Sequence, residues 1–294
     1  MIMLKNGFYT ALGTPLAQDG TIIKPALKKH IEQQIDAGAS GLLLMGSMGI
    51  QATIRHSEYK NAVDTAIEAV NGRVPLFVGA MDNSVARVAE RLEMIGTGRA
   101  IDGIVLTVPY YSKVTDAQAV NFFTAAADIS PYPVYLYDLP SVTQFKITMS
   151  VIENVIKHGN IKGMKTPDWE LIKAIERRFP DAEFECLYSG LDSFDYACSL
   201  GIRKNLDGMF ACTPINGKAM YEAVDRGDYI SARRCLDNIL LLRDTMIKYG
   251  LMRCFTICMN RIGIDGGFHQ DYTSEVGEDA KQAMIETMKQ IGEL

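Results

Sequence analysis

In 294 residues the chain has one tryptophan, four histidines and six cysteines, and no two of those cysteines form a CxxC pair. Cys254 and Cys258 lie four apart on an expected helix, but no matching Cys or His pair lies nearby to complete a metal site. Buried free thiols are therefore the expectation for all six, with no metal and no organic cofactor. No apolar run is long enough to cross a bilayer, and Met1 to Leu16 lacks a signal-peptide core followed by a small-residue cleavage site. The expectation is a cytoplasmic protein. Positive charge is not in excess either: 30 Lys and Arg stand against 35 Asp and Glu, a net charge of −5. That balance argues against a general attraction to nucleic acid or acidic membrane and leaves small molecules as the expected partners.

The chain has ample material for a core, with 48% apolar and 22% charged residues. From residue 7 onward, short β-rich runs alternate with segments of helical period, which points to a parallel sheet with helices outside. Strands are expected at Phe8 to Leu12, Gly41 to Met45, Leu76 to Gly79, Gly103 to Val108, Val134 to Tyr137, Ile161 to Lys165, Phe184 to Tyr188 and Asp207 to Ala211. Helices follow at about 24–37, 56–70, 83–97, 116–128, 148–157, 168–179, 191–200 and 216–226. Eight such units in strict order predict an α/β fold, a (β/α)8 TIM barrel, better than an open doubly wound sheet. Asp168 is placed to cap the helix after the sixth strand, and Thr166-Pro167 blocks helix before it. After residue 226 the alternation stops, and helices at about 229–248, 251–262 and 276–292 form a C-terminal helical extension. The expected division is 1–228 for the barrel and 229–294 for the extension packed on it.

Barrel chemistry sits at the C-terminal ends of strands. The second strand ends in Gly46-Ser47-Met48-Gly49, which is either an anion cradle of backbone N–H groups or a tight turn that needs glycine. The fourth and fifth end in Pro109-Tyr110-Tyr111-Ser112 and Tyr137-Asp138-Leu139-Pro140, tyrosines that serve as packing residues or as acid–base phenols. The sixth ends at Lys165, either a solvated charge or a desolvated amine. Schiff-base chemistry requires an unprotonated amine, and a mouth lined by Tyr137 and apolar side chains would desolvate one. Such an amine could attack the ketone of a 2-oxo acid while a phenol moves protons and backbone N–H groups hold the carboxylate.

The order GSMG, PYY, YDLP and GMK, followed by Ser189-Gly190-x-Asp192 and Gly208-Met209-Phe210, resembles the dihydrodipicolinate synthase / N-acetylneuraminate lyase family of class I pyruvate aldolases. The similarity runs over essentially the whole chain, including the extension and the opening Gly7-x-x-x-Ala11-x-x-Thr14-Pro15. The resemblance implies Lys165 as the Schiff-base lysine and Tyr137 as the proton shuttle. Ser47 and Tyr111 would complete a hydroxyl relay, Tyr111 reaching into a neighbouring subunit's site. It further implies a carboxylate cradle at the backbone of Ser47, Met48 and Gly49, contacts to the second substrate from Gly190, Asp192 and Phe210, and a homotetramer built as a dimer of dimers.

The departures bear on the substrate. Met48 stands where the family carries a second hydroxyl, Ile50 where it carries glutamate, and Val142 where the synthases carry the arginine that orders the aldehyde's carboxylate. Pro167 replaces the lyases' threonine, and Arg203-Lys204-Asn205 reads as an insertion before the eighth strand. Val142 favours lyase-like cleavage of a 2-oxo-3-deoxy sugar acid to pyruvate and an aldehyde, while Pro167 counts against sialate itself and leaves a related sugar acid. The alternatives are 4-hydroxy-tetrahydrodipicolinate synthesis, dehydration of a 2-oxo-3-deoxy acid through the same Schiff base, or a degenerate protein that only binds a 2-oxo acid.

Overall fold

The computed structural model describes residues 4–294. Eight strands, β1 (Gly7–Ala11), β2 (Gly41–Leu44), β3 (Leu76–Gly79), β4 (Gly103–Leu106), β5 (Val134–Tyr137), β6 (Ile161–Thr166), β7 (Glu185–Tyr188) and β8 (Lys204–Asp207), pair in parallel in chain order. β8 returns to β1, with Tyr9 opposite Leu206, so the sheet has no free edge. The helices between strands are α1 (Lys24–Asp36), α2 (His56–Val70), α3 (Val85–Ile95), α4 (Asp116–Ile129), α5 (Pro140–Thr143), α6 (Met149–Val155), α7 (Trp169–Arg178) and α8 (Phe194–Ser199). After β8 come α9 (Pro214–Asp225), α10 (Tyr229–Tyr249), α11 (Leu251–Arg261) and α12 (Glu278–Gln290). The TIM barrel and its C-terminal helices are as the alternation predicts. The single turn α5 escapes the sequence reading because Pro140 opens it and Gln144, left-handed at φ 52°, ends it at once.

Strand alternation sorts the apolar side chains into two clusters. One lies between the strands and the helices; the other fills the barrel with Tyr9, Leu43, Phe77, Val105, Tyr135, Tyr137, Leu187 and Leu206. The large rings fit because glycine faces them: a Cβ on Gly41 would come within 2.6 Å of the Tyr9 ring, and one on Gly163 within 2.8 Å of the Tyr135 ring. Local capping fixes the helix starts, as at α7, where the Asp168 carboxylate accepts from Leu171 N–H at 2.8 Å. All six cysteines are free, and Cys254 and Cys258 are fully buried on α11.

The eighth strand departs from expectation. It begins at Lys204, so Lys204 and Asn205 are strand residues rather than an insertion, while Met209–Ala211 forms a 3-10 turn. Lys204 hides its charge against Glu185 and Asn205 accepts from the Tyr221 hydroxyl. Lys204 is thus paired and the Asn205 oxygen bonded within the strand, while the Asn205 Nδ2 has no partner among the described residues. The apolar run at 209–211 is buried as well, but outside the barrel. Phe210 has no exposed surface and packs on Phe8 and Phe194, with centroids 5.2 and 5.7 Å away. The expected contact of Phe210 with a substrate is therefore corrected to core packing.

His30 on α1 is fully buried with neither ring nitrogen hydrogen-bonded, and burial pushes its pKa down to about 3. The unfolded chain takes up this proton below about 6.5, so His30's contribution is present above that pH and is lost as pH falls toward 3. Between pH 7 and pH 5 it should remove about 2 kcal/mol of stability. His30→Leu should shrink the drop in urea-unfolding stability over that interval; an identical drop in both proteins would refute the assignment.

Candidate active site

Lys165 and Tyr137 are register partners across β6 and β5, and Asp138 N–H donates to the Lys165 carbonyl at 2.9 Å. Their side chains point into the barrel mouth. Lys165 Nζ donates to the Tyr137 hydroxyl at 3.0 Å and lies 4.1 Å from the centre of its ring. The Ser47 hydroxyl stands 3.4 Å from the same phenol oxygen. Lys165 is only 7% exposed, which is unusual for an amine without a carboxylate in contact. The three residues line a cavity of about 400 Å³ together with Met48, Pro167, Gly190, Asp192, Asp207 and Arg243. Another hollow, of about 530 Å³ beside Arg55 and Arg253, is larger but holds no such lysine–phenol pair.

The residues that follow Tyr137 and Lys165 hold them in place. Asp138 turns outward from β5, and its buried carboxylate accepts from Thr166 Oγ1 at 2.8 Å, from Ile147 N–H at 3.0 Å and from Lys146. One carboxylate thereby ties the ends of β5 and β6 together. The loop after β2 is bounded by two left-handed residues, Met45 at φ 54° and Ile50 at φ 48°. For a β-branched residue such as Ile50 this costs roughly 1–2 kcal/mol. Between them, the N–H groups of Ser47 and Met48 have no hydrogen-bond partner among the described residues. They are free to take an anion beside the amine.

Gly49 does not line the cavity. Its carbonyl accepts from Thr14 Oγ1 at 2.8 Å, and a Cβ there would come within 2.8 Å of Met45 Cα, so it serves the turn. Gly190 and Asp192 do line the cavity, Asp192 at its outer end. Tyr111 lies outside the cavity with 90% of its surface exposed; the Asn83 carboxamide oxygen accepts from its amide and from that of Tyr110, each at 2.9 Å.

Sequence reasoning missed two cavity residues. Arg243, on α10, grips Asp192 in a bidentate pair at 2.7 and 2.8 Å and also binds Asp244. Nothing in the helical period of α10 marks it. Asp207 ends β8; burial holds its carboxyl above the usual carboxylate range, against the opposing pull of the Lys165 charge. It adjoins the Gly208 of a recognisable run, but the misplaced strand concealed its position.

A model of the dihydrodipicolinate synthetase family matches residues 4–291. The chain belongs to that family. The match places it among lyases of the aldolase type, which act on small molecules and assemble as oligomers. It is 31% identical over 190 residues to a 4-hydroxy-tetrahydrodipicolinate synthase of Acidiphilium cryptum, a stretch covering 64% of each chain. With the enzyme of the same name from Exiguobacterium sibiricum it shares 29% over 237 residues, 80% of each. Among solved structures, dihydrodipicolinate synthase of Thermotoga maritima superposes with a TM-score of 0.88 at 18% identity, covering 99% of this chain and 100% of that one. YagE, a prophage protein of E. coli K12 solved in complex with pyruvate, gives 0.88 at 23% identity with the same coverage. At these identities the structures speak for the fold. Among the described residues, no helix is long and apolar enough to cross a membrane.

Asp138→Ala should remove the tie between β5 and β6 and cost about 2 kcal/mol of stability, since Lys146 keeps Asp168 as a partner. Chemical denaturation measures the loss; a change below about 0.5 kcal/mol, the range of an ordinary surface substitution, would show the tie to be idle.

Proposed function

We propose that the protein is a class I aldolase that cleaves a 2-oxo-3-deoxy sugar acid to pyruvate and an aldehyde. The observation that carries this reading is the buried Lys165 amine 3.0 Å from the Tyr137 phenol, with Ser47 next in line. Lys165 attacks the 2-oxo carbon, Tyr137 passes the protons needed to expel water from the carbinolamine, and the free N–H groups of Ser47 and Met48 hold the substrate carboxylate. The iminium nitrogen then accepts the electron pair of the breaking carbon–carbon bond. The names of the relatives favour a second reading, 4-hydroxy-tetrahydrodipicolinate synthesis from pyruvate and an acidic amino-aldehyde. Against it, the cavity lining among the described residues offers no free cation besides Lys165 for that aldehyde's carboxylate: Val142 is apolar and half exposed, and Arg243 is already bound by Asp192 and Asp244. Tyr111, 90% exposed, is assigned to the relay of a neighbouring subunit in a tetramer.

Borohydride with pyruvate should leave a reduced pyruvyl adduct on wild-type protein and none on Lys165→Ala, read by intact mass; an unmodified wild type would sink every Schiff-base reading. In a substrate panel, pyruvate release from sialate or hexonate 2-oxo-3-deoxy acids is expected, and efficient condensation with aspartate semialdehyde would favour the synthase. Tyr111→Phe should lower kcat by about 10-fold or more, and an unchanged kcat would remove it from the relay.

A further inference from the structure

Within the cavity, Lys165 and Tyr137 serve the carbonyl carbon, and Asp192 is paired with Arg243. Asp207 is left without a task. It ends β8, two strands on from the Lys165 strand, whereas Tyr137 lies one strand back on β5, so the carboxyl and the phenol flank the amine from opposite sides. Its Oδ1 accepts from Met209 N–H at 2.8 Å, which fixes the carboxyl, and Oδ2 has no partner among the described residues. Met48 covers the adjoining wall: its side chain lies so close over Gly208 that a Cβ there would stand 1.9 Å from Met48 Cγ. A thioether arm thus packs against the backbone next to Asp207.

Tyr137, 3.0 Å from Nζ, is positioned for proton transfers at C2. Cleavage also needs a base for the hydroxyl on C4 and an acid for C3. We infer that Asp207 is the catalytic base and acid for these two atoms, an assignment that rests on the aldolase reading above. As the C3–C4 bond breaks, its electron pair moves into the enamine and the C4 hydroxyl proton passes to the Asp207 carboxylate, releasing the aldehyde. Asp207 then returns that proton to C3, and water hydrolyses the resulting pyruvyl iminium to pyruvate and the free Lys165 amine. One proton makes the round trip, so the transfers at C4 and C3 need no other donor. Burial raises the carboxyl pKa, which favours the protonated form once the C4 proton has arrived.

The reverse of the last proton transfer can be followed with pyruvate alone. In D2O, wild-type protein should exchange the methyl protons of pyruvate through the enamine, read by proton NMR. Asp207→Asn keeps the Oδ1 acceptor for Met209 N–H and should form the borohydride-trapped adduct normally, while exchange slows by about 10²-fold. Exchange at the wild-type rate overturns the assignment. Loss of both trapping and exchange in a variant with an unchanged melting curve also overturns it, by tying Asp207 to the amine instead. Should the Asn variant not fold, Asp207→Ser, which still offers an oxygen to Met209 N–H, is read by the same outcomes. A wild-type protein that gains no adduct, or exchanges no methyl protons, defeats the aldolase reading itself and this inference with it.

Discussion

The site depends on one irregularity in the sheet. Val134 of β5 pairs with Ile161 of β6, yet the next residue, Tyr135, pairs with Gly163, so the register slips past Lys162. Continued without that slip, the ladder would set Tyr137 opposite Met164, whose side chain lies in the outer core. With it, Tyr137 meets Lys165 and the two side chains share the barrel mouth. A one-residue change of register reverses which face every side chain occupies, so the bulge decides whether phenol and amine meet at all. Barrel closure makes that register hard to lose, because β5 and β6 are each paired on both sides.

Much of what surrounds the pair reads as support for it. Gly163 leaves the barrel interior open to the Tyr135 ring one layer below. Asp138 and Thr166, the residues after Tyr137 and Lys165, meet on the outer face at 2.8 Å and hold the strand ends together. The β2 loop contributes from the other side, and there the backbone is strained at Met45 and Ile50. Strain of this kind persists where the surroundings fix it, here through Thr14 on the Gly49 carbonyl and the tight fit of Gly49 against Met45. What the strained loop presents is a pair of unpartnered N–H groups next to the amine.

The barrel was legible in the sequence because strand and helix periods alternate without interruption, and Lys165, Tyr137 and Ser47 because they fall at or just after apolar strands in the family's order of motifs. The eighth strand was not. Lys204 and Asn205 look like loop residues until Glu185 and Tyr221 are seen to bond them, and the apolar run that follows is equally at home in a buried turn. That misreading hid Asp207, while the family resemblance carried Phe210 toward the site. Arg243 was illegible for a different reason: it meets Asp192 from 51 residues away, on a helix whose period reports only which face is buried.

The outer end of the cavity shows how the substitutions there act together. Arg243 faces two carboxylates, Asp192 and Asp244, so the cluster carries a net charge near −1, and Asp207 lies further in along the same wall. A carboxylate-bearing aldehyde entering here would meet like charge, whereas a neutral chain of hydroxyls would find acceptors. Ile247 and Leu251 add apolar surface to the lining, and Met48 packs over Gly208. On the proposed reading, a cavity with unpartnered N–H groups at the β2 loop and an acidic far end suits a ligand charged at one end and neutral at the other.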